Sequence, residues 1–138
     1  MGIFVNIFND SSFKRLPKNK LKSALLNALK HEKVRNAIVN IVFVNDSKIR
    51  ELNKAYLNHD YATDVIAFSL GDDKKILEGE IYISVETARN QAMEFKVSLT
   101  NEILRLGIHG ALHLAGYEDN TIAKKELMHK LEDKYIGF

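Results

Sequence analysis

Residues 99–119 read LTNEILRLGIHGALHLAGYED. Over 99–115, apolar residues fall on most sides of a helical wheel, which marks a buried helix rather than a surface one. Two histidines, His109 and His113, stand four apart in it and therefore share one face. Burying two imidazoles without partners costs on the order of 1–3 kcal/mol each, and a shared metal ion removes that cost. Gly116 follows at the expected helix end, where a glycine in the left-handed conformation turns the chain back. That reversal can bring Asp119 toward the two rings. His109, His113 and Asp119 are therefore the candidate metal ligands. The competing reading is two core histidines bonded to backbone carbonyls, with Asp119 capping the next helix.

The rest of the chain is scaffold for this helix. Its 138 residues fit one domain, 1–138, with one core. The hydrophobic share of 46% and charged share of 28% are those of an ordinary globular protein. No apolar run is long enough to span a bilayer, and MGIFVNIFND lacks the pattern of a signal peptide. The expected location is the cytoplasm. With no cysteine, disulfides, thiolate catalysis and Cys-based zinc sites all drop out, leaving only His and carboxylate to hold a metal.

Ile3–Phe8 is β-branched and aromatic and reads as a strand. Pro17, the only proline, suits the first turn of a helix running to about His31, with Leu21, Ala24, Leu25, Ala28 and Leu29 on one side. Ala37–Val44 is a second strand, apolar except for Asn40 and so expected to be buried on both faces. Asn45 or Asp46 caps a helix to about Tyr56, burying Ile49, Leu52 and Ala55 or Tyr56. Asn58–Ala62 is a polar loop. Asp64–Ser69 and Glu80–Ser84 read as two strands joined through a turn at Gly71–Lys75, hence antiparallel neighbours. Ser84 and Ser98 cap the next two helices, and Thr121 to about Tyr135 is an amphipathic helix with Leu127, Leu131 and Tyr135 in line. The expected fold is a single α+β domain with a mostly parallel four-stranded mixed sheet.

Two histidines and a carboxylate leave a coordination position open, as a catalytic site requires. Zinc suits the set, and so does non-haem iron. The spacing His-x3-His-x2-Gly-x2-Asp parallels the metzincin peptidases. Those enzymes place a Glu directly after the first histidine as general base, and here that residue is Gly110. The group that activates water for peptide cleavage is missing, which argues against a peptidase. Gly107 and Gly110 each cost about 1 kcal/mol of helix propensity against Ala. Close packing accounts for both, and open space beside His109 is a second reason for Gly110.

HGALHLAGYED resembles the HGxLHLxGYDH signature of the YbeY family of metal-dependent endoribonucleases, the rRNA maturation factors. Upstream, Leu52-Asn53, Tyr56, Asp60, Thr63-Asp64-Val65 and Phe68-Ser69 resemble the family's LNxxYRxxDxxTDVLSF stretch, and Gly79-Glu80-Ile81 its GDI strand. The resemblance implies a zinc-binding α+β fold with a metal helix like that of the zincin metalloproteases. It also implies hydrolysis of single-stranded RNA during ribosomal RNA maturation, with ribosomal RNA and the ribosome as partners. It maps the ligands onto His109, His113 and Asp119. Two positions depart from the pattern: Asp119 stands where the family usually has His, and Leu57 where it usually has an Arg implicated in activity. A non-catalytic RNA- or ribosome-binding assembly factor with a structural metal is the alternative that Leu57 keeps open. Arg105, one turn before His109, is a candidate to stand in for that Arg, against an ion pair with Glu102 or another carboxylate. Glu118 adjoins a ligand and is a weak candidate for proton transfer, against simple exposure.

Between Lys14 and Arg35 only Glu32 is acidic. Lys14, Arg15, Lys18, Lys20, Lys22, Lys30, Lys33 and Arg35 form a basic cluster that can follow a phosphate backbone, with Lys14, Arg15, Lys18, Lys20 and Lys22 as the candidate RNA-binding residues. A solvated helix face is the alternative. The mixed charges of the last helix, including Glu132 and Asp133, read as surface.

Overall fold

A computed structural model describes residues 2–71 and 75–137 of the chain. The elements follow the order β1 (Ile3–Asn9), α1 (Lys18–His31), β2 (Ala37–Val44), α2 (Asp46–Leu57), β3 (Val65–Ser69), β4 (Leu77–Ser84), α3 (Val85–Phe95), α4 (Leu99–Leu114) and α5 (Ile122–Ile136). The sheet runs β1-β2-β4-β3. The β1·β2 and β2·β4 pairs are parallel and the β3·β4 pair is antiparallel, so the sheet is mixed and mostly parallel as expected.

Alternation along the strands sorts the two faces. On one face Val5, Val39, Ile41, Phe43, Ile81 and Ile83 join Leu21, Leu25 and Leu29 of α1 and Ile103, Ile108 and Leu112 of α4 in the main core. Helix α4 is central, packed against α1, α3, α5, β3 and β4. On the other face, Val44, Ile49 and Ile66 form a small second cluster under α2. That helix covers only part of the sheet. Ile38, Asn40 and Val42 are therefore only half-buried, and β2 is not sealed on both faces as its composition suggested. Asn40 instead meets its register partner Asn6, whose Nδ2 donates to Asn40 Oδ1 at 3.1 Å.

Helices α3 and α4 begin at their expected side-chain caps, where Ser84 Oγ accepts from Thr87 N–H and Ser98 Oγ from Asn101 N–H, and α5 is capped by Thr121, whose Oγ1 accepts from Lys124 N–H. Elsewhere tertiary contacts override local reading. Pro17 occupies the cap position of α1 rather than its first turn. Asn45 precedes α2, but its Oδ1 is taken by Ser12 N–H, and Glu86 from α3 accepts the Asp46 N–H at 2.8 Å instead. Tyr56, 69% exposed, and Ala55 lie outside the buried face of α2, which carries Ile49 and Asn53. β4 starts at Leu77 rather than Glu80, because Leu77, Glu78 and Gly79 pair with Ala37, Ile38 and Val39. The buried line of α5 is Met128, Glu132 and Tyr135, one residue round from the expected Leu127 and Leu131; Leu127 is 47% exposed. The turn expected over Gly71–Lys75 falls mostly outside the described residues.

Candidate metal centre

Helix α4 presents His109 and His113 one turn apart, at the end of its apolar core face. Their Nε2 atoms are 3.0 Å apart. The helix closes on a Schellman turn: Gly116, at φ +106°, donates its N–H to His113 O, and Tyr117 N–H reaches Leu112 O. This reversal returns the chain over the histidines, and Asp119 Oδ2 stands 3.6 Å from each Nε2. The donor atoms of His109, His113 and Asp119 all lie within 4.8 Å of one another. From these separations, a point equidistant from the three lies about 2 Å from each, the length of a zinc–nitrogen or zinc–oxygen bond. The three side chains are half-buried, so an ion among them keeps a face open to solvent.

The other ring nitrogen of His109 is engaged as well. His109 Nδ1 lies 2.7 Å from Glu132 Oε2 of α5, and Glu132 has a side chain only 2% exposed. A carboxylate there fixes Nδ1 as the protonated nitrogen and turns the Nε2 lone pair toward Asp119. Arg105 in turn holds Glu132 at 3.1 Å and Asp133 at 3.0 Å, with Glu102 at 3.8 Å. Burial by itself lowers the His109 pKa, but the hydrogen bond and charge of Glu132, with the charges of Asp119 and Asp64, carry it above the ordinary histidine value. The site is thus an electronegative pocket that favours a cation, whether proton or metal.

The ligands open into a cleft of about 520 Å³, whose wall includes Leu57, Thr63, Asp64, Ser69, Gly110 and Leu114. Asp64 is held rigidly: Oδ1 accepts from Val65 N–H at 2.7 Å and Oδ2 from Gln91 Nε2 at 3.2 Å. Asn53, buried in α2, donates from Nδ2 to Tyr61 O and so anchors the loop leading to Thr63. Gly79 leaves room for the end of α4, since a Cβ there would lie 2.5 Å from Leu114 Cδ2 and 2.9 Å from the Phe68 carbonyl oxygen.

The sequence candidates divide. His109, His113 and Asp119 come together. Arg105 pairs with the carboxylates of α5 and is not among the described residues lining the cleft, which matches the ion-pair alternative. Glu118 is 62% exposed and paired with Lys124 at 2.9 Å, outside the cleft. Lys14, Arg15, Lys18, Lys20 and Lys22 are all exposed, and none lines the cleft. Glu132 is the residue that sequence reasoning misplaced as surface. Its signal was a position on the line Met128, Glu132, Tyr135, the one register of α5 that carries a charge inward.

The four-stranded α+β fold thus carries His-x3-His on a buried helix, closed by a glycine turn and a third donor, as a candidate site for a metal ion. The family model for endoribonuclease YbeY matches residues 6–137. The chain is 41% identical over 122 residues to the endoribonuclease YbeY of Chloroherpeton thalassium, covering 88% of this chain and 86% of that protein. It is 45% identical over 100 residues to that of Flavobacterium psychrophilum, covering 71% and 69%. The solution structure of TM1509 from Thermotoga maritima superposes with a TM-score of 0.70 at 32% identity, covering 96% of this chain and 87% of that one. The chain belongs to the endoribonuclease YbeY family, hydrolases acting on RNA.

Proposed function

We propose that this protein is a metal-dependent endoribonuclease that hydrolyses single-stranded RNA, with ribosomal RNA as its substrate and the cytoplasm as its place of work. His109, His113 and Asp119 are its zinc ligands in this reading. The observation that carries it is the triangle of donor atoms, sized for zinc and set in the wall of an open cleft. Zinc held there supplies a Lewis acid and a water acidified to a pKa of about 7. The protein supplies the rest. Glu132 orients His109, Asp64 stands fixed beside it, and Thr63 and Ser69 place hydroxyl groups along the wall. A cleft of this size admits a small ligand, which suits a nucleotide of an unpaired strand better than a duplex.

Gly110 weighs against peptide hydrolysis more heavily than its identity alone suggests. A Cβ at that position would meet Ile81 Cγ2 at 2.8 Å, so a side chain where a peptidase keeps its general base would have to displace Ile81. Leu57, which lines the cleft, favours a second reading: an assembly factor that binds ribosomal RNA around a structural metal. The test is cleavage of single-stranded RNA by the zinc-loaded protein, with His113→Ala and Asp119→Ala beside it. We expect cleavage to fall by at least two orders of magnitude in both variants, about the scale of losing a principal electrostatic group. Equal cleavage by all three proteins ends the metal-catalysis reading, and tight RNA binding with no metal-dependent cleavage supports the assembly factor.

A further inference from the structure

A second cleft, of about 510 Å³, opens beside the first and shares Ser69 and Leu114 with it. Its described lining includes the cations Lys33 and Arg35, with Asn36 and Glu78. Glu32, next in the chain, does not offset them, because its carboxylate is drawn inward to the hydroxyls of Tyr117, at 2.5 Å, and Tyr135. Neither Lys33 nor Arg35 forms an ion pair with any described residue. In contrast, Arg50, Arg105 and Lys124 are each committed to carboxylates.

The segment that carries these two cations is fixed at both ends. Lys33 adopts φ +64° to leave α1, with its N–H on Lys30 O and the Val34 N–H on Leu29 O. Asn36 O then accepts Leu77 N–H as the sheet begins. Two exposed cations on an anchored turn pay little ordering entropy when they meet an anion. The earlier members of this basic stretch sit differently. Lys18 and Lys22 line a separate depression against β1 and Lys20 another, and neither depression shares a residue with the metal cleft.

We infer that Lys33 and Arg35 bind the phosphate backbone of single-stranded RNA where it leaves the metal cleft past Ser69 and Leu114. This rests on the reading of RNA as the substrate, but not on cleavage. The test is fluorescence anisotropy of a labelled single-stranded oligoribonucleotide, titrated with wild-type protein and with a Lys33→Ala/Arg35→Ala double variant over a range of salt. The expected result is a loss of about tenfold in affinity at low salt. The slope of log affinity against log salt should also shrink by about 1.4, two phosphate contacts at about 0.7 each for a single strand. The charge-conserving Lys33→Arg/Arg35→Lys variant should keep wild-type affinity, which separates lost charge from lost fold. Wild-type affinity and slope in the alanine variant overturn the inference, as does a loss carried by Lys18→Ala/Lys22→Ala instead. Cleavage is followed separately on the same RNA. A wild-type protein that binds through Lys33 and Arg35 without cutting upholds the groove and ends the nuclease reading. Cutting with undiminished binding in the double variant does the reverse.

Discussion

At the scale of single residues, the candidate metal centre has a buried carboxylate behind it that is not one of the three candidate ligands. Glu132 is buried in α5 and aims one oxygen at His109 Nδ1 and the other at Arg105. Partners of this kind set the tautomer and basicity of a ligating imidazole, and losing one typically costs about 10–100-fold in metal affinity. Glu132→Gln keeps the shape and removes the charge, so zinc affinity in a chelator competition should fall by about that range. Asp133→Asn, which alters only the exposed partner of Arg105, should leave affinity unchanged. Equal affinities in Glu132→Gln and wild type would show the carboxylate to be structural. The grouping of the three candidate ligands is legible from spacing because helical periodicity and a glycine stop are local. Glu132 is not, because nothing near it in the chain tells which register of α5 faces α4.

At the scale of elements, the two glycines of α4 record how closely its neighbours approach. A Cβ at Gly107 would lie 2.5 Å from Leu21 Cδ1, and one at Gly110 would lie 2.8 and 3.1 Å from Ile81 Cγ2 and Cδ1. Leu21 belongs to α1 and Ile81 to β4, and both are fully buried. Both reasons the sequence offers for Gly110 have a counterpart, since it packs closely on Ile81 and also lines the cleft with His109. Gly110→Ala gains about 1 kcal/mol of helix propensity. Overpacking against a stiff β-branched side chain costs roughly 1–3 kcal/mol. We expect a net loss of stability in urea denaturation, together with weakened zinc binding as His109 shifts. A variant as stable as wild type would mean that the interface has slack. Strands and helices were read almost to their ends where caps and alternation are local. The misread faces, on β2, α2 and α5, are those whose burial depends on which distant element covers them.

At the scale of the whole molecule, stability carries the mark of a buried acid. Glu102 is 2% exposed on the inner side of α4, and one of its oxygens lacks a hydrogen-bond partner. Burial pushes its pKa up to about 7; Arg105 opposes the shift, and Asp64 and Glu132 add to it. Because the folded value lies above the unfolded value of 4.5, the folded state binds the extra proton between those two limits. Stability from this group is therefore present below pH 4.5, falls as pH rises, and is fully lost above about 7. The shift corresponds to about 3 kcal/mol. Glu102→Gln should be free of that fall. Its stability relative to wild type should rise by this amount across the same window, measured by denaturant titration at several pH values. A pH-independent difference would place the proton elsewhere. A second long-range link, from the Tyr135 hydroxyl to Glu32, closes the C-terminal helix onto the end of α1.

The sequence by itself determined the number and order of the elements, the helix that carries the site, and its three donor atoms, because periodicity, capping and a glycine stop act over a few residues. Only the tertiary structure decided what surrounds them. It put Glu132 behind His109, packed Ile81 against Gly110, turned Arg105 away from the cleft, and set Lys33 and Arg35 beside it. Each of those contacts joins residues of different elements, and their meeting is set by how the sheet and helices pack rather than by any pattern within one segment.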